Sequence, residues 1–302
     1  MTWTYAIMAY IASLLLAPTL PGVINRVKAK FAGRKGQPVL QTYYDIFKLL
    51  RKNLVYSKSS TWIVAYGSWI SLSALLLAGT LMPFFSSASI LHFHGDIVLF
   101  AYLLALARLF MVLSALDTGS SFEGMGANRE LIFSMLAEPA LFIILATLVR
   151  QTDALSLDTI FRSAAGMPSF FAPETALLVI SLFLILLVEN SRMPFDDPNT
   201  HLELTMIHEV MVLDHGGPDF AVITYSASLK LWLFAGFVAN LVLPSLAIGF
   251  WLKPFVHLGL IYGVGIIVGI TESTAARIRL TQIPQLLFGA AVFALLAFII
   301  AR

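Results

Sequence analysis

The stretch Glu189-Asn190-Ser191-Arg192-Met193-Pro194-Phe195-Asp196-Asp197-Pro198-Asn199-Thr200-His201-Leu202-Glu203 follows directly on an apolar run of bilayer-crossing length that begins near residue 174. The run reads as a buried or lipid-embedded helix. The charge packed against its end needs a reason, because an ionisable group at membrane depth is expensive and by default marks an ion, proton or substrate path.

Composition settles the solvent. Of the 302 residues, 59% are hydrophobic and 12% charged, and the mean hydropathy is +0.86. Such a chain has too little polar surface to coat a water-soluble globule. The expected fold class is an all-α integral membrane protein, with residues 1–302 forming a single membrane domain, because no shift in composition divides the chain. The absence of cysteine excludes disulfides and thiolate-held iron–sulfur clusters, so any redox centre must sit on a partner.

Outward from the opening stretch, hydropathy gives about eight transmembrane helices, near 4–24, 61–85, 97–116, 131–149, 174–190, 220–247, 255–273 and 284–301. The first lacks a basic leader and a small-residue cleavage site and reads as a retained helix. The loop after it carries nine Lys and Arg residues between Arg26 and Lys58, and Arg129, Arg192, Arg277 and Arg279 fall on the same side, thirteen in all. The other side has four: Arg150, Arg162, Lys253 and Arg302. By the positive-inside rule the long basic loop is cytoplasmic and both termini face outward. That loop reads as a topogenic segment touching the lipid bilayer, and no nucleic-acid partner is expected.

Inside the basic loop, residues 39–50 place Val39, Tyr43, Ile46, Phe47 and Leu50 on one helical face, with Asp45, Lys48 and Lys52 off it. The segment is too short to span and is expected as an amphipathic interfacial helix. Further charges enter or border the apolar spans: Arg108, Asp117, Glu123, Arg129, Glu130, Glu138, Lys230 and Glu272. Each alone reads as a structural ion pair or a snorkelling side chain. Glu138, Glu189, Asp196, Glu203 and Glu272 all fall in the cytoplasmic half of the expected topology, and converging carboxylates away from water suit proton exchange. His201, His208 and His215 recur every seven residues, but Gly216-Gly217-Pro218 ends any helix near the last, and no zinc-protease, phosphate-loop or nucleophile-elbow pattern is present. No metal site is expected.

Several motifs then run in order along nearly the whole chain. Arg34-Lys35-Gly36, Leu40-Gln41, Tyr44-Asp45-Ile46 and Lys48-Leu49-Leu50 are followed by Leu116-Asp117-Thr118-Gly119-Ser120, Ala127-Asn128-Arg129-Glu130 and Glu138-Pro139. Glu189-Asn190, Pro194-Phe195-Asp196, Glu203-Leu204, Ser228-Leu229-Lys230, Glu272-Ser273 and Ala276-Arg277-Ile278-Arg279-Leu280 complete the set. The chain resembles the membrane-anchor subunit family shared by respiratory complex I and the energy-converting membrane-bound [NiFe] hydrogenases, in its formate hydrogenlyase and hydrogenase-4 branch.

The resemblance implies an anchor and energy-coupling subunit, without a catalytic centre or bound cofactor, in a redox-driven ion-translocating complex of the inner membrane. Its partners would be peripheral hydrogenase-like large and small subunits, iron–sulfur subunits and antiporter-like membrane subunits. Iron–sulfur clusters, and nickel–iron where present, would sit on those partners. The implied proton and coupling residues are Glu138, Glu189, Asp196, Glu203, Arg129, Arg192, Asp117, Glu130, Lys230 and Glu272; the implied docking residues are Arg34, Lys35, Gln41, Asp45 and Lys48. Two carboxylates that complex I relatives carry after Pro-Phe-Asp are replaced here by Asn199 and His201, which counts against a quinone cavity. Two alternatives stand beside this reading: a quinone-site subunit of a NADH:quinone-type oxidoreductase, and an independent ion carrier.

Overall fold

The computed structural model describes residues 2–58, 60–162, 172–196, 206–245, 249 and 251–301, and among these it is helical, without strands. The helices are α1 (Thr2–Leu16), α2 (Thr19–Phe31), α3 (Gln41–Leu50), α4 (Trp62–Leu81), α5 (Asp96–Asp117) and α6 (Ser121–Thr152). They continue with α7 (Leu157–Arg162), α8 (Pro173–Glu189), α9 (Gly217–Val242), α10 (Lys253–Thr274) and α11 (Ile283–Ile300). Among the described residues, six helical segments are long and apolar enough to cross a bilayer: α4, α5, α6, α9, α10, and α11 with its leading turn. Helices α1 and α2 pass the same test only together, as a pair bent by 42°. Pro18, at the break, has no N–H to continue the ladder.

Helix α9 is the central post. Its sequence is apolar around the whole circumference, and residues 228–229 and 231–241 are buried against α2, α4, α8 and α10. The outer helices show the reverse of a soluble protein. Trp3, Met8, Leu15, Tyr102, Met135, Ile267 and Phe288 are exposed, while Arg108, Glu130, Glu189, Asp196 and Glu272 are buried. Apolar residues outward and charges inward are the arrangement a bilayer demands.

Two close approaches set the geometry that matters for the site. Gly265 and Gly269, four residues apart on α10, face Leu20, Ile24 and Val27 of α2. A Cβ at Gly269 would lie 2.9 Å from the Val27 Cβ, so the small residues let the two helices touch. One step further along both helices this contact brings Lys28 to Glu272. On α6, a Cβ at Gly126 would run into the Val210 side chain and lie 2.9 Å from the Ile207 carbonyl oxygen, so glycine lets segment 206–212 press onto that helix.

The expected amphipathic helix is α3, packed on α9 and α2. Tyr43 and Ile46 are half-buried as the pattern requires, but Phe47 and Leu50 are exposed and Leu49 is half-buried instead. A short helix on two neighbours covers only a narrow stripe, and it selects residues three apart, 43, 46 and 49. His208 and His215 share no helical stripe either. Residues 209–212 form a 3-10 turn and α9 begins only at Gly217.

Candidate functional site: a buried chain of ion pairs

Arg108 sits in the middle of α5, the one charged residue in an otherwise apolar helix interior. Its guanidinium reaches two carboxylates, Glu138 of α6 and Glu189 at the end of α8, each at 3.3 Å. Lys230 of α9 closes on the same Glu189 side chain at 2.8 Å and donates to the Glu189 carbonyl oxygen at 2.5 Å. One ammonium thus holds both the side chain and the helix end. Bare carbonyls at a helix C-terminus carry negative partial charge, so a cation is well placed there.

Beyond Glu189 the chain reverses. Ser191 takes a left-handed conformation (φ 48°), and Arg192 N donates to the Leu187 oxygen. Arg192 then contacts Glu272 of α10 at 3.4 Å, and Glu272 also takes Lys28 of α2 at 2.8 Å. Asp196 is paired with Arg277 at 2.9 Å. Its other oxygen accepts from the backbone N–H groups of Ile207 and His208, which docks the returning segment. The Ile278 N–H bonds to the Pro194 oxygen at 3.0 Å, so the loop after α10 is stitched to the loop after α8.

Three small cavities run along this chain, and Glu189 borders all of them. The largest, about 80 Å³, has a polar wall of Arg108, Glu130, Glu189, Arg192, His208 and Lys230, facing an apolar wall that includes Leu75, Met111 and Ile223. A second, about 30 Å³, lies against Arg108 and Glu138 beside Tyr102 and Phe142. The third, about 10 Å³, joins Glu130, Glu189 and Asp196. A water needs roughly 10–15 Å³ on this measure, so the first has room for several. Carboxylates in series, separated by cations and bordered by water-sized spaces, can hand a proton from one to the next when water fills those spaces. At low local dielectric, a change of charge at one link is felt strongly at the next.

Seven of the expected coupling residues are brought together here: Glu130, Glu138, Glu189, Arg192, Asp196, Lys230 and Glu272. Arg129 stands at the edge, donating to the Met206 oxygen at 2.8 Å. Asp117 is elsewhere, accepting at 2.8 Å from the backbone and hydroxyl of Thr61, a join between α5 and the start of α4. Glu203, with Asn199 and His201, lies outside the described residues. Of the expected docking residues, Arg34, Lys35, Asp45 and Lys48 are exposed, and Gln41 donates to Asp45 at 2.9 Å along α3.

Sequence reasoning did not place Arg108, Lys28, Arg277 and His208 among the coupling residues. Arg108 carried a usable signal, a lone cation in an apolar span. The partners of the other three come from distant segments, and no spacing reveals them. Among the described residues no cluster of His, Asp and Glu has the arrangement of a metal site.

A second polar cluster lies where the loop after α3 meets α9. Asp219 is buried and accepts from the Tyr56 hydroxyl at 2.7 Å and the Trp69 indole at 3.3 Å. His215 shares a 3.0 Å hydrogen bond with Ser114. Burial pushes the His215 imidazole below its ordinary value, against the opposite pull of Asp219 and Asp214. Burial, then the hydrogen bond to Asp219, pushes the Tyr56 phenol up.

The profile of the NADH dehydrogenase family matches residues 4–302. Formate hydrogenlyase subunit 4 of Escherichia coli (strain K12) is 28% identical over 313 residues, covering 99% of this chain and 98% of that protein. Hydrogenase-4 component C of the same organism is 31% identical over 241 residues, 80% of this chain and 75% of that one. Among solved structures, a chain of the membrane-bound sulfane sulfur reductase, an archaeal respiratory membrane complex, superposes with a TM-score of 0.84 at 21% identity, covering 100% of this chain and 99% of that one. That likeness concerns the fold.

Proposed function

The chain belongs to the NADH dehydrogenase family of membrane subunits, and from that premise we propose that it is the anchor and energy-coupling subunit of a hydrogenase-type, redox-driven ion-translocating complex. The observation that carries the reading is the chain of ion pairs that runs from half-exposed Glu138 through buried Arg108 and Glu189 to Lys230, with the separate ion pairs of Glu272 and Asp196 beside it, inside a lipid-facing bundle. An isolated buried ion pair is poor value for stability; a series of linked pairs bordered by water-sized cavities suits charge transfer. The match to formate hydrogenlyase and hydrogenase-4 subunits supports the hydrogenase-type reading and does not favour the quinone-site alternative.

In this account eight spans cross the inner membrane: the six long segments, the bent α1–α2 pair, and the 17-residue α8, at the short end of bilayer-crossing length. The 26–58 loop is cytoplasmic and both termini face outward. The peripheral large, small and iron–sulfur subunits dock on the cytoplasmic side through the 34–52 segment, with Gln41, Asp45 and Lys48 presented by α3, and through the 189–219 segment. All metal centres belong to those subunits. A redox event above the loop shifts charge at Asp196 and Arg192; Glu130, Glu189 and Glu138 pass protons along the cavities; and antiporter-like membrane neighbours complete the path. Glu203 is a further relay member by its place in the sequence, seven residues after Asp196. The test is the set of subunits that co-purifies after mild detergent extraction, with its metal content. Iron-bearing hydrogenase-like partners are expected; a chain that purifies alone and transports ions by itself overturns the reading.

A further inference from the structure

Helix α2 ends in a tight reversal. Gly33 adopts φ 65°, its N–H bonds to the Lys30 oxygen, and the Arg34 N–H bonds back to the Ala29 oxygen at 2.9 Å. This is the hydrogen-bond pattern of a Schellman cap. It folds residues 34–37 back over the last turns of α2, where a Cβ at Gly36 would lie 2.8 Å from the Ala29 Cβ. Between this reversal and the end of α10 lies an open groove of about 570 Å³, lined by Lys28, Arg34, Lys35, the polar Asn25 and Gln37, and Ser273. None of its lining residues is acidic, and Arg34 and Lys35 have no carboxylate within 4.0 Å among the described residues.

The groove is also continuous with an apolar surface. Ile266, Ile267 and Ile270 are exposed on the last turns of α10, and Ser273 follows Ile270 by three residues on the same helical stripe. Phe31, in the groove wall, is 58% exposed. We propose that one acidic phospholipid binds here, its phosphate held by Arg34 and Lys35 with Lys28 at the floor, and its acyl chains lying along the isoleucine stripe of α10. A cleft with free cations at one end and exposed aliphatic side chains at the other matches a molecule with a phosphate on a hydrocarbon tail, and basic pockets at the cytoplasmic ends of spanning helices take such headgroups. Lys28 joins the groove to the buried chain, because the same ammonium contacts Glu272 at 2.8 Å. The assignment narrows the docking segment, leaving Gln41, Asp45 and Lys48 of α3 to the peripheral arm.

Native mass spectrometry of the purified full-length chain, titrated with phosphatidylglycerol, phosphatidylcholine and inorganic phosphate, tests it. The wild type should retain one phosphatidylglycerol at concentrations where phosphatidylcholine and inorganic phosphate leave no adduct. R34A/K35A should weaken that binding about thirty-fold, from the typical worth of two basic side chains at a membrane surface. The control R51A/K52A, which removes two exposed cations elsewhere in the loop, should stay within about three-fold of the wild type. Equal weakening in both double variants, no weakening in R34A/K35A, or inorganic phosphate binding as tightly as the lipid overturns the proposal. Co-purification separates it from docking: R34A/K35A should keep any peripheral subunits, and losing them with lipid binding unchanged would hand the groove to the arm.

Discussion

Replacing Lys230 by Met tests whether the Glu189 junction is a coupled unit. In the wild type the Glu189 side chain is 5% exposed and faces the Lys230 ammonium at 2.8 Å and Arg108 at 3.3 Å. Removing one partner of a buried pair typically costs about 3–5 kcal/mol, because the survivor is left buried with its charge uncompensated. Arg108 still faces Glu189, which argues for the low end, about 3 kcal/mol. The Glu189 carbonyl that Lys230 also serves loses its donor, within the same range. The double variant E189Q/K230M should cost less than the sum of its two singles, with a coupling free energy of about 2 kcal/mol between the two sites. The assay is reversible unfolding of the purified chain in mixed micelles, followed through the fluorescence of its five tryptophans. A single variant costing less than about 1 kcal/mol, or a double variant equal to the sum of its singles within about 0.5 kcal/mol, refutes the reasoning.

Single cysteines placed at Lys30 and His94, both exposed in a chain without native cysteine, should label from opposite faces of the membrane; labelling of both from the outer face would sink the proposed orientation. His215 is held neutral by burial, so the unfolded chain binds more protons than the folded one below the ordinary histidine value of about 6.5. Its contribution is therefore fully present above that pH and is lost on acidification towards the depressed folded value. Unfolding midpoints at pH 5.5 and 7.5 should differ less for His215→Gln than for the wild type, and identical pH slopes would contradict the assignment.

Much of the architecture was legible because a bilayer imposes simple rules. Six of the apolar runs fall on long helices, while the run near 4–24 is broken between α1 and α2 and the run near 174–190 is the 17-residue α8; the charged stretch after residue 188 begins where α8 ends and the ion chain gathers. Glu138, Glu189, Lys230 and Glu272 could be singled out because each is a charge in apolar surroundings. The pairing was not legible. Lys28 meets Glu272 because two glycines of α10 let α2 approach, and Arg277 meets Asp196 because the loops after α8 and α10 are stitched by one backbone bond. Neither follows from sequence spacing. Asp117 shows the converse: its type and motif suggested the relay, but it sits at the C-terminal end of α5, beyond Arg108, and joins Thr61.

Coupling of a redox reaction to ion movement through the buried carboxylates makes Glu189→Gln the decisive variant, because all three cavities along the ion pairs border that residue. In inverted membrane vesicles carrying the assembled complex, electron transfer and ion uptake should be recorded together, with subunit content checked on the same vesicles. The account predicts an assembled complex that still transfers electrons but moves several-fold fewer ions per electron. Full ion uptake per electron in assembled Glu189→Gln vesicles would contradict it and leave the chain a purely structural feature.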